Sequence, residues 1–238
     1  MRVFAQPDES AGVDSWYDGV GTVVTHIEQS GRSRTAAGVL GTVAWIGVIL
    51  SLGSSLASSA STLTDGFRVL VAFSGYLTIW TNAAIAIALT VPLLRPGGRT
   101  GRFLRRPGVL TALAAAITIV ALGYELLLRQ SWGSPGIDLL ANLLVHYLLP
   151  VAYVGYWWAV VPAASLTWRA PIYWSSYMIA YSVYVILRGE VTGLYPYPFV
   201  DVAELGYPTT IVNALGFLLL FVVVSLAYVA VNRVRSWV

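Results

Sequence analysis

The stretch GYLTIWTN places hydrogen-bonding side chains inside an otherwise apolar run of the chain. Ser74, Thr78 and Asn82 follow an i, i+4, i+8 spacing, which predicts one polar face on a helix. A second stretch, NLLVHYLLP, carries Asn142 and His146 at the same four-residue spacing. A threonine hydroxyl becomes a nucleophile when a base takes its proton, and histidine is the usual base near neutral pH. These residue types therefore permit nucleophilic acyl transfer.

Each of these residues has a candidate role in that chemistry. Thr78 is the candidate nucleophile and His146 the candidate base, with Asn82 as an oxyanion donor or orienting group one turn from Thr78. Asn142 lies one turn from His146 and is the candidate partner of its ring. Helix packing explains the same residues without catalysis, because intramembrane threonines often donate to their own i−4 carbonyl and histidines often bond a neighbouring helix.

A metal centre is not expected from this sequence. The chain has no Cys and two His, and the second of these, His26, lies in the N-terminal tail far from His146. A zinc site needs several such ligands together, and disulfides and cysteine nucleophiles require a Cys. We expect no metal, no cofactor and no nucleic-acid partner.

The composition indicates the solvent in which these residues lie. Apolar residues make up 57% of the 238 residues and charged residues 11%, whereas soluble domains carry about 25% charged residues. Apolar stretches near the length of a membrane-spanning helix recur along the chain. They are residues 37–57, 67–94, 108–128, 137–161, 172–187 and 209–231. The sequence predicts an all-α polytopic membrane protein with six transmembrane helices around a central intramembrane cavity.

Charge predicts how this domain, residues 37–238, is oriented. Residues 1–36 are polar and acidic without the apolar core of a signal peptide, and we expect a disordered or surface-bound tail. The chain has 14 Arg and no Lys, and five Arg fall in the loop 95–107. With that loop in the cytoplasm, 11 of the 14 Arg lie on the cytoplasmic side. We therefore predict a multi-pass protein of the cell membrane with both termini cytoplasmic.

Depth brings Thr78 and His146 together. If spans two and four both start at the outer face, Thr78 lies 11 residues and His146 nine residues into its span. A rise of 1.5 Å per residue places them roughly 16 and 14 Å deep. Polar faces are costly against lipid, so both should point into the bundle or a wet cavity.

Four long motifs resemble those of the bacterial Pr6Pr family of six-helix membrane proteins. They are FSGYLTIWTN, LLVHYLLPVAYVGYWW, LTWRAPIYWSSYMIAYSVYVILRG and GLYPYPFVDVAELGY, and the resemblance covers about residues 37–235. The chain is similar more remotely to the eukaryotic androgen-induced (FAR-17a/AIG1-like) proteins.

The remote resemblance implies an intramembrane threonine hydrolase of fatty-acid esters of hydroxy fatty acids. The family threonine lies in an aromatic-Leu-Thr segment, matched by Thr78 after Tyr76 and Leu77. The family histidine precedes a proline within a helix, matched by His146 before Pro150. The implied partners are a lipid ester that enters from the bilayer and the membrane lipids themselves.

A substrate with a free carboxylate would need a cation near the outer surface. Arg188 is the candidate, because Arg binds carboxylates through two parallel hydrogen bonds, and Arg129 is a lesser candidate. Alternatively, Arg188 pairs with Glu190, Asp201 or Glu125 and fastens the loop 189–208, which we expect to be an ordered outer cap. Tyr195 and Tyr197 in that cap are placed to close the mouth of the cavity.

Two other function classes remain open from the sequence. A transporter or channel would use the polar faces to line a path, and a scaffold or receptor would use them for packing alone. Three features weigh against transport: a single ionisable group near mid-depth, the lack of an internal repeat, and no helix-breaking Gly or Pro in the middle of span two.

Overall fold

The computed structural model describes residues 31–59, 62–129 and 136–235. Within these ranges the chain is helical and has no strand. Most of the predicted tail lies outside the described residues, and the first helix begins at Gly31, six residues before the predicted boundary. The helices in chain order are α1 (Gly31–Ser59), α2 (Leu63–Phe73), α3 (Leu77–Leu94), α4 (Arg99–Leu104), α5 (Pro107–Gly123), α6 (Ile137–Leu143), α7 (Leu149–Val160), α8 (Ala170–Thr192) and α9 (Val202–Val234).

Short π-helical and 3-10 turns join some of these helices. A π-helical turn at Tyr124–Leu128 continues α5, and a second at Leu144–Leu148 joins α6 to α7. A 3-10 turn at Pro198–Val200 precedes α9. The loop between α8 and α9 thus has regular structure, in agreement with the ordered cap predicted there.

The all-α fold is confirmed, and five of the described helices are long and apolar enough to cross a bilayer. Within the described residues these are Gly31–Ser58, Leu77–Leu94, Pro107–Leu128, Ile137–Val160 and Val202–Val234. Helix α8 has 23 residues, which is sufficient length, but its four Tyr and three Ser lower its mean hydropathy. The sixth span therefore stays a prediction.

Helices α3 and α5 form the inside of the bundle. Helix α1 packs mainly on α3, α5 packs on α9, α3 and α7, and α8 packs on α9. The run Ala114, Ala115 and Ala116 of α5 is fully buried, and small residues let neighbouring helices approach closely. The core of the bundle is therefore built around the two helices that carry or adjoin the candidate site.

The prediction of one continuous helix through span two is wrong. A capping box between Thr62 and Asp65 starts α2, which ends at Phe73, and α3 begins only at Leu77 after an extended Tyr76. Hydropathy does not reveal the break because the residues on both sides are apolar. Ser74 and Thr78 therefore do not share one helix face, and Thr78 lies in the first turn of α3.

Gly75 lies in the break, so a glycine interrupts span two near its predicted outer end, whereas the expectation concerned only the middle of the span. Side chains from other segments satisfy the carbonyls that the break leaves unpaired. Tyr181 donates to the Gly75 carbonyl at 2.8 Å, and Trp80 donates to the Ser74 carbonyl at 2.7 Å. Irregular backbone within an apolar bundle is tolerated only where such partners exist.

Arg188 contributes the largest share of these bonds. Its guanidinium donates to the carbonyls of Val71, Ala72 and Leu194, the second at 3.1 Å. The side chain is 8% exposed and lies directly against Gly75. Arg188 thereby ties the end of α2 to α8 and to the cap.

Gly75→Ala is expected to lower the stability of the fold. The added Cβ would lie 2.6 Å from three guanidinium atoms of Arg188, which is held by three carbonyls and has little freedom to move. Overpacking of this kind costs about 1–3 kcal/mol. Thermal unfolding in detergent, followed by far-UV circular dichroism, would show a midpoint several degrees below that of wild type.

The matched control is Gly155→Ala in α7. A Cβ at Gly155 meets no atom within 4 Å, and alanine is favoured over glycine in helices by about 1 kcal/mol. Its midpoint should equal or exceed that of wild type. Equal midpoints for Gly75→Ala and wild type would show that the break accepts a side chain.

Candidate functional site

The structure brings Thr78 and His146 into contact. The distance from Thr78 Oγ1 to His146 Nε2 is 3.2 Å, and both side chains are buried. Thr78 projects from the first turn of α3, whereas His146 projects from the π-helical turn between α6 and α7. A hydroxyl and an imidazole at this distance are within reach of the proton transfer that activates a nucleophile.

Pro150 gives a physical reason for the π-helical turn that carries His146. A proline has no N–H, so it cannot donate to the carbonyl of the residue four positions earlier, which here is His146. The backbone hydrogen bonding changes accordingly, because the N–H of Leu149 donates to the carbonyl of Leu144, five residues earlier. Single π turns inside α-helices are frequent at functional sites.

Asn142 orients the His146 ring. Asn142 Oδ1 lies within hydrogen-bond distance of His146 Nδ1, and Asn142 Nδ2 donates to the Tyr124 hydroxyl. Because Oδ1 accepts, this network assigns the ring proton to Nδ1 and leaves the lone pair of Nε2 facing Thr78. Thr78, His146 and Asn142 thus lie in a hydrogen-bonded series, in the order of the predicted nucleophile, base and orienting group.

Tyr124 was not singled out in the sequence, yet it holds the base from a second side. Its ring stacks on the His146 ring with centroids 4.0 Å apart and an interplanar angle of 18°. Tyr124 begins the other π-helical turn, at the end of α5. The imidazole is therefore fixed by one hydrogen bond and one stacked ring.

Asn82 holds the backbone of the site. Its amide nitrogen donates to the carbonyl of Thr78 at 2.7 Å and to that of Val145 at 3.5 Å, and its side chain is fully buried. It therefore links the first turn of α3 to the π turn of His146. Of its two predicted roles, the geometry fits the orienting group, because both amide hydrogens point to carbonyls.

Tyr197 of the cap lies closer to Thr78 than the sequence analysis predicted, which placed it at the mouth of the cavity. The N–H of Leu77 donates to its hydroxyl at 3.0 Å, and the side chains of Thr78 and Tyr181 are further neighbours of that hydroxyl. Burial raises the pKa of Tyr197 to about 12, so the phenol stays neutral at physiological pH and keeps a proton to donate. The signal that would have found it is the YPYPF run, since prolines fix the cap backbone around Tyr197.

Thr78, His146 and Tyr197 line a cavity of about 450 Å³. Its lining includes four serines of α1 and Asp138 of α6, together with apolar side chains of α2, α3 and the α6 region. A second pocket of about 40 Å³, lined almost entirely by apolar side chains of α5, α8, α9 and the cap, meets Thr78 and Tyr197 from another side. Within the described residues no group of three His, Asp or Glu could hold a metal ion.

Arg188 lies outside both of these spaces. Its guanidinium donates to backbone carbonyls, so the geometry gives it a structural role in place of the predicted carboxylate anchor. The predicted ion pair is also wrong, because Glu190 accepts from Tyr195, Asp201 caps α9, and Glu125 pairs with Arg129 at 2.5 Å.

The hydrogen bonds of Thr78, His146 and Asn142 predict one tautomer of His146. The protein has two histidines, so a His26→Gln variant labelled with nitrogen-15 in histidine reports on His146 alone. Its spectrum should show a protonated Nδ1 and an unprotonated Nε2. Asn142→Leu removes the acceptor and should shift the ring toward the Nε2–H form.

Asn213→Leu is the matched control, because Asn213 donates to the Phe199 carbonyl and touches no part of the His146 network. It should leave the spectrum unchanged. A proton on Nε2 in the His26→Gln parent would contradict the assignment.

Comparison with protein families, with curated proteins and with solved structures finds no match for this chain. The resemblance to the Pr6Pr family therefore rests on the quoted motifs, and the chemical roles of Thr78 and His146 rest on their geometry.

Proposed function

We propose that this protein is an intramembrane hydrolase that cleaves lipid esters through a Thr78 nucleophile and a His146 base. The observation that carries the proposal is the buried 3.2 Å contact between Thr78 Oγ1 and His146 Nε2 at the wall of a cavity. A purely packing threonine needs only its own i−4 carbonyl, and here Thr78 instead meets a base that Asn142 and Tyr124 hold in place.

The reaction proceeds in two steps. His146 Nε2 takes the Thr78 proton while Oγ1 bonds to the ester carbonyl carbon, and the tetrahedral intermediate then expels the alcohol, which receives that proton from His146. A water molecule then gives a proton to His146 and attacks the acyl-threonine. Collapse of the second intermediate releases the fatty acid and returns the proton to Thr78.

Tyr197 supplies the hydrogen bond that the oxyanion needs. Its oxygen accepts from the Leu77 N–H and neighbours the Thr78 side chain, so its phenolic hydrogen is placed to bond an oxyanion that forms beside Thr78. Thr78 itself lies at the amino end of α3, where the helix dipole gives a positive local potential. Together, the Tyr197 hydroxyl and the helix dipole favour the negative charge that develops on the carbonyl oxygen.

The proposal includes the membrane arrangement predicted from charge. Helix α8 serves as a sixth span, both termini lie in the cytoplasm of a cell-membrane protein, and the Arg-rich segment around α4 faces the same side. The cavity then lies in the outer half of the membrane. A lipid ester enters it laterally from the bilayer, so its alkyl arms stay in an apolar environment.

A transporter or channel is the second candidate. The break between α2 and α3 favours it, because discontinuous helices often form substrate sites in transporters. Flux of a solute into proteoliposomes without ester turnover would support transport. Ester turnover without flux would support the hydrolase.

Thr78→Ala should abolish turnover and covalent labelling. Without the hydroxyl, neither an acyl-enzyme nor an adduct with a fluorophosphonate probe can form. His146→Ala should lower both rates by about 10²–10⁴-fold, because general base catalysis is worth that much. The measurements are release of oleate from ethyl oleate in detergent micelles, by mass spectrometry, and gel fluorescence after probe treatment.

Thr81→Ala is the matched control on the same helix. Thr81 is fully buried and bonds the Tyr177 hydroxyl at 2.9 Å, away from the cavity, so its loss should leave turnover near the wild-type rate. Equal, non-zero rates for wild type and Thr78→Ala, with both proteins folded, would refute the hydrolase.

Tyr197→Phe tests the oxyanion donor. Loss of one such donor costs about 10²–10³-fold in kcat, and KM should change little because the donor acts on the transition state. Tyr195→Phe is the control, since that hydroxyl bonds the exposed Glu190 outside the cavity. A Tyr197→Phe enzyme with wild-type kcat would remove Tyr197 from the mechanism and leave the roles of Thr78 and His146 intact.

A further inference from the structure

We propose that the cavity selects esters whose alcohol moiety carries a hydrogen-bond donor and disfavours esters that carry a carboxylate. This inference rests on the proposed hydrolase and names its substrate class. It departs from the carboxylate-bearing esters that the family resemblance implies.

The first observation is a wall of hydrogen-bond acceptors on α1. Ser51, Ser54, Ser55 and Ser58 all line the cavity. Ser51 donates to the Gly47 carbonyl at 2.8 Å, Ser55 to that of Ser51 at 2.9 Å, and Ser58 to that of Ser55 at 3.3 Å. A hydroxyl has one hydrogen, so Ser51 and Ser55, whose hydrogens both bond carbonyls, offer the cavity only their lone pairs. A ligand group that faces these two serines gains hydrogen bonds from them only if it donates.

The second observation is the charge of the lining. Asp138 is the one charged side chain that lines the cavity within the described residues, and no described residue donates to it. The two arginines considered as anchors are engaged elsewhere, Arg188 with carbonyls and Arg129 with Glu125. The chain has no Lys. A carboxylate in this cavity would lose its hydration, find no cation and face a second negative charge, which is costly.

The remaining lining accommodates the alkyl chain of an ester. Val69, Phe73 and Ile79 form an apolar region of the cavity, and the small pocket on the other side of Thr78 is also apolar. The acyl chain thus has apolar surface on both sides of the nucleophile. The alcohol moiety is left to face the serines and Asp138.

Four oleate esters separate these contributions. They are hydroxyethyl oleate, with a neutral donor; ethyl oleate, with no polar group; oleoylcholine, with a cation but no donor; and carboxymethyl oleate, with a carboxylate. We expect hydroxyethyl oleate to be hydrolysed with a kcat/KM about tenfold or more above that for ethyl oleate, and carboxymethyl oleate to fall below ethyl oleate by a similar factor. Oleoylcholine reports attraction to Asp138 alone and should lie above ethyl oleate.

Asp138→Asn tests the charge directly. Removing the negative charge should raise the ratio of kcat/KM for carboxymethyl oleate to that for ethyl oleate, and it should lower the corresponding ratio for oleoylcholine. Glu204→Gln is the control, because Glu204 is an exposed residue of α9 that lines neither pocket. It should leave all four values as in wild type.

The outcomes separate this inference from the proposed function. Turnover of ethyl oleate that depends on Thr78, combined with a preference for carboxymethyl oleate, overturns the substrate class and keeps the hydrolase. If wild type hydrolyses none of the esters, the hydrolase fails, and thermal stabilisation of Thr78→Ala protein by the same esters still ranks their binding. In that assay, stronger stabilisation by carboxymethyl oleate than by hydroxyethyl oleate overturns the preference.

Discussion

The hydrogen bonds that close the break between α2 and α3 set the position of Thr78. In hydrocarbon, an unpaired backbone carbonyl costs several kcal/mol, so a chain can leave its helix there only if side chains supply donors. Arg188, Tyr181 and Trp80 supply them from α8 and α3. The chain then continues as α3 from Leu77, which places the buried Thr78 hydroxyl in the first turn of a helix instead of on a continuous polar helix face.

The same backbone constraint positions His146. Pro150 removes one N–H donor from the backbone hydrogen bonds of the helix, and the helix accommodates this loss by a π-helical turn instead of a break. This turn directs the imidazole toward Thr78, while Tyr124, from the π-helical turn after α5, covers its face. Thr78 and His146 therefore both lie where the helical backbone is irregular, at the break before α3 and in a π-helical turn.

The sequence predicted those parts of the structure that depend on composition and helical spacing. Hydropathy predicted six spans, and five of the described helices are long and apolar enough to cross a bilayer. Counting residues along spans two and four placed Thr78 and His146 at one level, and the two side chains are in contact although span two is not continuous. The contact between Asn142 and the His146 ring was predicted from their four-residue spacing, because the segment between these two residues is helical. The break at Gly75 was missed because two of its donors, Tyr181 and Arg188, come from residues more than 100 positions away.

Arg188 shows why charge alone misled the sequence interpretation. A lone Arg near the end of an apolar helix suggests either a ligand anchor or an ion pair, since carboxylates are its usual partners. Backbone carbonyls at the end of a helix carry partial negative charge and lone pairs, and three carbonyls bind the guanidinium of Arg188 without any carboxylate. Hydropathy and residue spacing contain no signal for such carbonyls, because they become available only where the helix ends.

The candidate site uses neutral groups where soluble enzymes use a charged one. In serine proteases an ionised Asp orients the histidine and stabilises its protonated form, whereas Asn142 orients the ring here without a charge. An ionised Asp at this buried position would have to be desolvated, and that penalty reaches several kcal/mol even after relaxation. The neutral amide avoids the penalty but gives less stabilisation to a protonated His146. In the proposed hydrolase, the developing charge is then stabilised chiefly on the oxyanion side, which makes the Tyr197 hydroxyl and the amino end of α3 the more important electrostatic elements of the site.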